Sequence, residues 1–280
     1  MIDREVALEA LGVICNAKVT SVQKLRSGAR SVAFQGLASS SSAAPTLSAN
    51  QLISAVLGGD QTCPLSGNNF TRIQSVLRGG KLSESFTSLT FDERTRGGKT
   101  YIVDQDEFFD RKFDFDFTGL RDTETYRRGG EVYERPCGWQ RFAIKVLDKY
   151  DGNAWLGTQY RSTQSVPGEW PVSYHGTSKE GAEGIIEGFY KPGSGQRYGR
   201  GIYSTPYIKE AIHYSKIFTS AHNGKKYRVI LQNRINPTYR EKHNNSKYWL
   251  VSIPAGLSVE KEQQMVKRAI RPYGLLLKEV

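Results

Sequence analysis

The stretch YGRGIYSTP, residues 198–206, carries the strongest structural signal in the chain. Gly199 and Gly201 permit unusual backbone dihedrals or a close approach by a neighbouring backbone. The Thr-Pro pair that follows is typical of a helix N-cap with proline in the first turn. The pattern therefore predicts a strand-to-helix junction with Tyr203 at its mouth, where side chains often line clefts. The alternative is a glycine-rich hairpin with a partly buried tyrosine.

The composition is that of a soluble globular chain. Hydrophobic residues make up 38% of the 280 residues. No apolar run approaches the roughly 20 residues of a membrane helix, and the start, MIDREVALEALG, is acidic where a secretory signal would be basic. The three cysteines lie far apart and outside zinc-ligand spacing, which favours a reducing compartment without structural zinc. We therefore expect an intracellular protein, cytoplasmic or nuclear, that holds no metal and binds no membrane.

Basic residues exceed acidic ones, mostly in the C-terminal two thirds of the chain. The sequence has 39 Lys and Arg against 28 Asp and Glu, for a net charge of +11. This excess attracts nucleic acid, acidic proteins or a polyphosphate ligand, and it also serves solubility. Isolated Arg-Gly-Gly triplets at Arg78, Arg96 and Arg128 are interpreted as turns, because a disordered RNA-binding tail would cluster them.

The sequence divides into two regions with different residue patterns. Residues 1–95 form an N-terminal region of unassigned role, with a predicted short helix over 3–14 and a Ser/Ala-rich linker or loop around 36–50. Residues 96–280 form the predicted catalytic domain. Aromatic and charged residues alternate over 106–117, which predicts an edge strand or an exposed face.

Short strands and two small helices are predicted after residue 170. The runs WPVSY, YRVILQNRI, KYWLVSI and YGLLLKEV are predicted strands. HGTSKEGAEGIIEGFY has capping-box spacing and predicts one helix. PYIKEAIHYSKIF predicts a second helix, with one stripe formed by Tyr207, Ala211, Tyr214 and Phe218. The glycine-rich segment between them is a predicted loop without the P-loop or Rossmann pattern, and the whole order indicates an α+β domain.

The combined motifs resemble a known enzyme family. His-Gly-Thr at 175–177 ends a predicted strand, Gly-Arg-Gly-Ile-Tyr ends at Tyr203, and Tyr214 follows eleven positions later. This pattern is similar to the catalytic domain of the poly(ADP-ribose) polymerase-like ADP-ribosyltransferases, over roughly residues 170–280. The resemblance implies a split antiparallel β-sheet with short flanking helices, NAD as co-substrate and no metal ion.

The resemblance also implies roles for individual residues. His175 would hydrogen-bond the adenosine-side ribose of NAD, and Gly176 would offer its backbone to the nicotinamide carboxamide. Tyr203 and Tyr214 would pack on the two sides of the nicotinamide ring, since an aromatic face attracts a cationic ring. The implied NAD-binding set also contains Thr177, Arg197, Tyr198, Gly201 and Ser204. Arg197 and Tyr198 lie in the loop that would cover the adenosine or the pyrophosphate.

Two positions depart from the family's pattern. Ala211 stands where polymerases of the family carry a serine that binds the carboxamide. Lys247 aligns with a glutamate that binds a ribose hydroxyl and favours the positive charge that develops as nicotinamide leaves. An inward lysine would oppose that charge by about 4 kcal/mol at ~4 Å and an effective dielectric near 20, although lysine often snorkels outward. Glu241 on the preceding loop is a candidate replacement. The candidate catalytic residues are His175, Tyr203, Lys247 and Glu241.

Loss of the glutamate is shared with the family's mono-transferases, so the resemblance implies transfer of one ADP-ribose unit to protein, nucleic acid or water. The alternative is an inactive module of the same fold that binds NAD, ADP-ribose, nucleic acid or a protein partner. Lys247 and Ala211 favour that alternative, and the His-Tyr-Tyr combination opposes it. A basic nucleic-acid-binding module without NAD is a third reading. Taken alone, His175 is also compatible with a structural histidine at a strand end.

Overall fold

The computed structural model describes residues 1–16, 18–21, 23, 89–91, 100–157, 162–176, 190 and 192–280. The chain divides into two compact units, one of Met1–Lys18 with Phe108–Val280 and one of Val19–Glu107. Among the helices of the described residues, none has the length and apolar character needed to span a bilayer. The following sequence predictions lie outside the described residues: the linker over 36–50, the turns at Arg78 and Arg96, the helix after the His-Gly-Thr motif, and the NAD contact of Thr177.

Helix α1 (Arg4–Cys15) belongs to the larger unit and confirms the helix predicted near the start of the chain. Asp3 caps it by accepting the backbone N–H of Glu5 at 2.7 Å. The left-handed backbone of Asn16 ends it. Lys216 donates to the carbonyl of Val13 at 2.9 Å and ties the helix to the sheet described below.

The smaller unit contains a three-stranded sheet. Its strands β1 (Lys18–Ser21), β2 (Leu89–Phe91) and β3 (Thr100–Val103) lie in the order β1-β3-β2. Helix α2 (Gln105–Phe108) follows β3. The Gln105 side-chain amide donates to the Ser21 hydroxyl at 3.1 Å, which joins the start of α2 to β1.

The described residues of the larger unit form mainly antiparallel strands and, after α1, two further α-helices. Its elements are β4 (Phe115–Asp116), β5 (Arg127–Arg128), β6 (Glu131–Val132), β7 (Gln140–Ala143), β8 (Val172–His175), β9 (Gly193–Gln196), β10 (Gly199–Ser204), α3 (Ile208–His213), β11 (Lys216–Thr219), β12 (Lys226–Ile235), β13 (Glu241–His243), β14 (Tyr248–Ser252), α4 (Val259–Ala269) and β15 (Ile270–Glu279). The predicted α+β class is confirmed, as are the predicted strands at β8, β12, β14 and β15.

Two sheets of this unit meet where the candidate site lies. The first has the order β11-β12-β15-β7-β4, and β8 also pairs with β12. Because β11 pairs with residues 226–229 of β12 and β8 with 231–234, these two strands follow one another along one edge of β12. The second sheet has the order β13-β14-β10-β9. An isolated bridge between Tyr174 and Thr205 joins the end of β8 to the end of β10.

The core between helix α3 and the first sheet determines which way the end of β8 faces. Ile208 and Ala211 of α3 pack in one buried cluster with Tyr174, Ile230 and Leu276. Side chains alternate across a strand, so the neighbour of Tyr174, His175, points to the opposite side of the sheet.

The structure corrects the predicted second helix. Helix α3 begins at Ile208, with Tyr207 at its N-cap, because Thr205 is held in the bridge to β8 and its hydroxyl accepts the N–H of Tyr207 at 3.1 Å. The helix ends at His213, so the predicted stripe does not exist, and Phe218 lies on β11.

Two further predictions about local structure are wrong. The segment predicted as a glycine-rich loop before Tyr203 is a β-hairpin of β9 and β10, whereas the predicted strand-to-helix junction is present, since β10 leads into α3. The segment 106–117 is mostly helix α2, a 3-10 turn at Arg111–Phe113 and irregular chain. Only its two-residue strand β4 lies at the sheet edge, and Asp110 and Asp114 cap the 3-10 turn that precedes it.

Candidate active site

His175 ends β8 and is 7% exposed. Its Nδ1 lies 2.6 Å from the carbonyl oxygen of Tyr203. A carbonyl only accepts, so Nδ1 carries the proton and Nε2 presents a lone pair when the ring is neutral. Burial lowers the pKa of His175 and favours that neutral form, although the Tyr203 carbonyl partly opposes the shift. Nε2 is buried, and no group in the described part of the chain hydrogen-bonds to it. Within the described residues, the ring therefore holds a buried acceptor that no donor satisfies.

Tyr203 connects this histidine to the β9–β10 hairpin. Its carbonyl accepts from His175, while its hydroxyl donates to the carbonyl of Gly199 at 2.8 Å and accepts the N–H of Tyr198 at 3.0 Å. Partial burial raises the pKa of Tyr203, and the N–H of Tyr198 partly offsets the rise. The main chain of Tyr203 thus orients the histidine, and its side chain fixes the turn of the hairpin.

The end of α3 lies directly against the end of β8. A Cβ at Gly176 would lie 2.8 Å from the Cβ of Tyr214 and would collide with the carbonyl oxygen of Ala211. The glycine is therefore required for close packing of the helix against the strand. Tyr214 remains 52% exposed, and its hydroxyl lies 3.3 Å from that of Tyr248 at the start of β14. This hydrogen bond raises the pKa of Tyr214.

The turn of the hairpin packs over the second sheet through an aromatic stack. The ring of Tyr198 is parallel to that of His243 with centroids 4.4 Å apart, and it lies 6.4 Å from the ring of Tyr248. The Arg197 guanidinium lies 5.6 Å from the Tyr198 ring centroid. Arg197 is exposed, so the turn presents a positive group above an aromatic surface that leads through Tyr248 to Tyr214.

Lys247, which the alignment placed at the glutamate position, is ion-paired. Its Nζ lies 2.9 Å from Oε1 of Glu210 on α3, and the two side chains are 39% and 21% exposed. The Lys247 ammonium is therefore partly exposed and bound to the Glu210 carboxylate. Its charge is matched by a carboxylate that the sequence analysis did not identify.

Glu241 lies on the same sheet face as Tyr203. In the register, Tyr203 pairs with Leu250 and Leu250 pairs with Glu241, so the three side chains form one row across three strands. At about 4.8 Å per strand, the backbones of the tyrosine and the glutamate are about 10 Å apart. Glu241 is 51% exposed and contacts Nε2 of His243 at 3.2 Å.

The other two NAD-binding candidates on β10 have different environments. A Cβ at Gly201 would collide with the carbonyl oxygen of Val251, so glycine is needed for the pairing of β10 with β14. The hydroxyl of Ser204 is buried, and within the described residues it has no hydrogen-bond partner. The structure thus brings together His175, Gly176, Tyr203 and Tyr214, with Tyr198 and Lys247 at the rim.

A groove of about 660 Å³ adjoins this cluster. It is lined by Glu134, Tyr207, Lys209, Glu210, Asn244, Asn245 and Lys247. Sequence reasoning missed Glu210, His243 and Tyr248 as neighbours of the site. For Glu210 a signal was present, because it precedes Tyr214 by one helical turn. Among the described residues, no group of three or more His, Cys, Asp or Glu side chains is arranged to hold a metal ion.

Comparison of the chain with protein-family models and with curated proteins found no match. The assignment of a function therefore rests on the motifs and on the geometry of the site.

Proposed function

We propose that this chain is an NAD-dependent mono-ADP-ribosyltransferase that releases nicotinamide and transfers ADP-ribose to a protein or nucleic-acid acceptor. The observation that carries the proposal is Nε2 of His175, which is buried at the end of β8 and has no hydrogen-bond partner among the described residues, while Nδ1 is held by the Tyr203 carbonyl. A buried acceptor without a partner costs free energy unless a ligand satisfies it. A ribose hydroxyl is a donor of the kind that this nitrogen lacks.

The surrounding residues fit the other parts of NAD. Tyr203 and the half-exposed Tyr214 offer aromatic faces to the cationic nicotinamide ring. Arg197, above the ring of Tyr198, offers a positive charge to the pyrophosphate. Bound NAD supplies ADP-ribose with nicotinamide as the leaving group. The chain's own residues orient the ribose, hold the ring and exclude water from the buried side of the site.

Single transfer is the form of the reaction that this site supports. The position that the resemblance assigns to a glutamate is Lys247, and Ala211 is buried in the core without a hydroxyl. The groove beside Lys247 is large enough for an amino-acid side chain or a nucleotide, so it is where an acceptor would approach.

The first experiment compares two histidine variants of the purified full chain. Nicotinamide release from NAD is measured for the unmodified protein, for His175→Ala and for His222→Ala. His222 is the matched control because it is 43% exposed and belongs to a turn outside the site. We expect release to be lost in His175→Ala and retained in His222→Ala. A mass increase of one ADP-ribose unit on an acceptor then distinguishes transfer from hydrolysis.

Equal release from both variants would place the activity elsewhere and contradict the proposal. The second candidate function is an inactive module that binds NAD or ADP-ribose, and it is favoured by Lys247 and Ala211. NAD binding in calorimetry, sensitive to His175→Ala but without nicotinamide release, would identify that module. Absence of both binding and release would refute the NAD assignment itself.

A further inference from the structure

Helix α3 and the start of β14 are joined by two parallel side-chain contacts. Glu210 pairs with Lys247 at 2.9 Å, and the hydroxyl of Tyr214 lies 3.3 Å from that of Tyr248. The partners are four residues apart on the helix side and adjacent on the strand side. Tyr214 is the C-cap of α3 and its N–H still bonds to the Ala211 carbonyl, so the Cβ atoms of Glu210 and Tyr214 lie on one face of the helix end, about 6 Å apart. Glu210 is therefore a carboxylate one turn from the tyrosine that the proposed function sets against nicotinamide.

The charges of this pair reach the tyrosine hydroxyl. Although the hydrogen bond between the Tyr214 and Tyr248 hydroxyls is the main cause of the raised pKa of Tyr214, the charge of Glu210 contributes in the same direction and that of Lys247 opposes it. The ion pair engages Oε1 of Glu210. In the described ranges of the chain, the other carboxylate oxygen accepts no hydrogen bond, so it can face a ligand.

Two other carboxylates near the site are less suited to stabilise a positive charge there. Glu241 is 51% exposed, contacts His243, and is separated from Tyr203 by Leu250 in the sheet row. Solvent therefore screens it more strongly. Burial raises the pKa of Glu134, which favours its neutral form. Glu210 is 21% exposed and its partner is a cation.

We propose that Glu210 is the carboxylate that stabilises the positive charge on the ribose during transfer, and that Lys247 is a positioning residue that holds it. This inference rests on the proposed function. When the bond between the anomeric carbon and the nicotinamide nitrogen breaks, its electron pair leaves with nicotinamide and positive charge remains on the ribose. The acceptor's lone pair forms the new bond, and its proton passes to solvent. Glu210 forms no covalent bond and transfers no proton in this step, because its effect is electrostatic.

The test compares Glu210→Gln with Lys247→Met and with Glu262→Gln. Glu262 is a matched control because it is also ion-paired, to Arg200 at 2.6 Å, and also 21% exposed. We expect Glu210→Gln to lower kcat for nicotinamide release about 100-fold or more, as for loss of one electrostatic stabiliser. Its Kd for NAD in calorimetry stays within about threefold, because the contact strengthens only in the transition state. Lys247→Met lowers kcat about tenfold, and Glu262→Gln leaves it unchanged.

The unequal effects of the two partners separate catalysis from structure. If the ion pair served only to join α3 to β14, Glu210→Gln and Lys247→Met would lower activity and thermal stability alike, and the inference would be overturned. A larger loss in Glu241→Gln than in Glu210→Gln would also overturn it. If His175→Ala abolishes release and Glu210→Gln does not lower it, the inference fails and the proposed function stands. If the unmodified chain binds no NAD, both fail, and if it binds NAD without release, Glu210 has no catalytic role.

Discussion

Replacement of Tyr203 by phenylalanine separates the two roles that the structure gives to this residue. The hydroxyl makes two hydrogen bonds in the hairpin turn, to the carbonyl of Gly199 at 2.8 Å and from the N–H of Tyr198 at 3.0 Å. The ring is the part that the proposed function directs at nicotinamide. Tyr203→Phe removes the hydroxyl and keeps the ring, whereas Tyr203→Ala removes both.

The expected loss follows from the two bonds. A net contribution of about 0.5–1.5 kcal/mol per hydrogen bond, reduced because the turn is partly exposed, gives about 1–2 kcal/mol for Tyr203→Phe. In a unit of this size each kcal/mol corresponds to about 2–4 °C in Tm. The Kd for NAD of the phenylalanine variant stays within about threefold, and the alanine variant loses NAD binding.

The assays are urea unfolding for the free energy and calorimetry with NAD for the Kd. Tyr239→Phe is the matched control, because Tyr239 is 47% exposed and its hydroxyl has no hydrogen bond in the described part of the chain. A phenylalanine variant as stable as the Tyr239 control would refute the role of the two hydrogen bonds. An equal loss of NAD affinity in Tyr203→Phe and Tyr203→Ala would show that the hydroxyl, not the ring, is the group that matters.

Two further predictions concern the same strands. Burial lowers the pKa of His175 below its ordinary 6.5. As the pH falls through that value, the unfolded chain therefore binds a proton that the folded chain does not. The free energy of unfolding is highest above about pH 6.5 and decreases as the pH falls toward the folded-state pKa. Urea unfolding between pH 5 and 8 should show this loss, and His175→Gln should flatten it; an unchanged profile would contradict the argument. Gly201→Ala should lower the free energy of unfolding by about 2 kcal/mol or more, because its Cβ collides with the Val251 carbonyl. Gly119→Ala, where a Cβ meets nothing within 4 Å, should change it by less than about 0.5 kcal/mol, and similar losses in both would show that β10 can shift away from β14.

Apolar runs predicted four strands of the larger unit, β8, β12, β14 and β15. β12 and β15 consist largely of buried residues, with the apolar runs Val229–Leu231 and Leu275–Leu277 at their centres. The prediction failed for residues 207–218, where local periodicity fits a helix. There, Arg228 of β12 donates to the carbonyl of Ile212 at 3.1 Å and to the hydroxyl of Ser215 at 2.9 Å. These contacts take up the carbonyl at the helix end, and the following residues pair with β12 as β11.

For the candidate site, the residue types and their spacing were sufficient to select His175, Tyr203 and Tyr214, because a motif is a property of the chain itself. The environment of each residue was not predictable. The bond from His175 to the Tyr203 carbonyl spans 28 residues, and that between Tyr214 and Tyr248 spans 34. Lys247 shows the limit most clearly. In the sequence, Lys247 is a cation at the position of the family's glutamate, and no partner can be identified for it. In the fold, Glu210 is its partner, because two sheets and a short helix meet there.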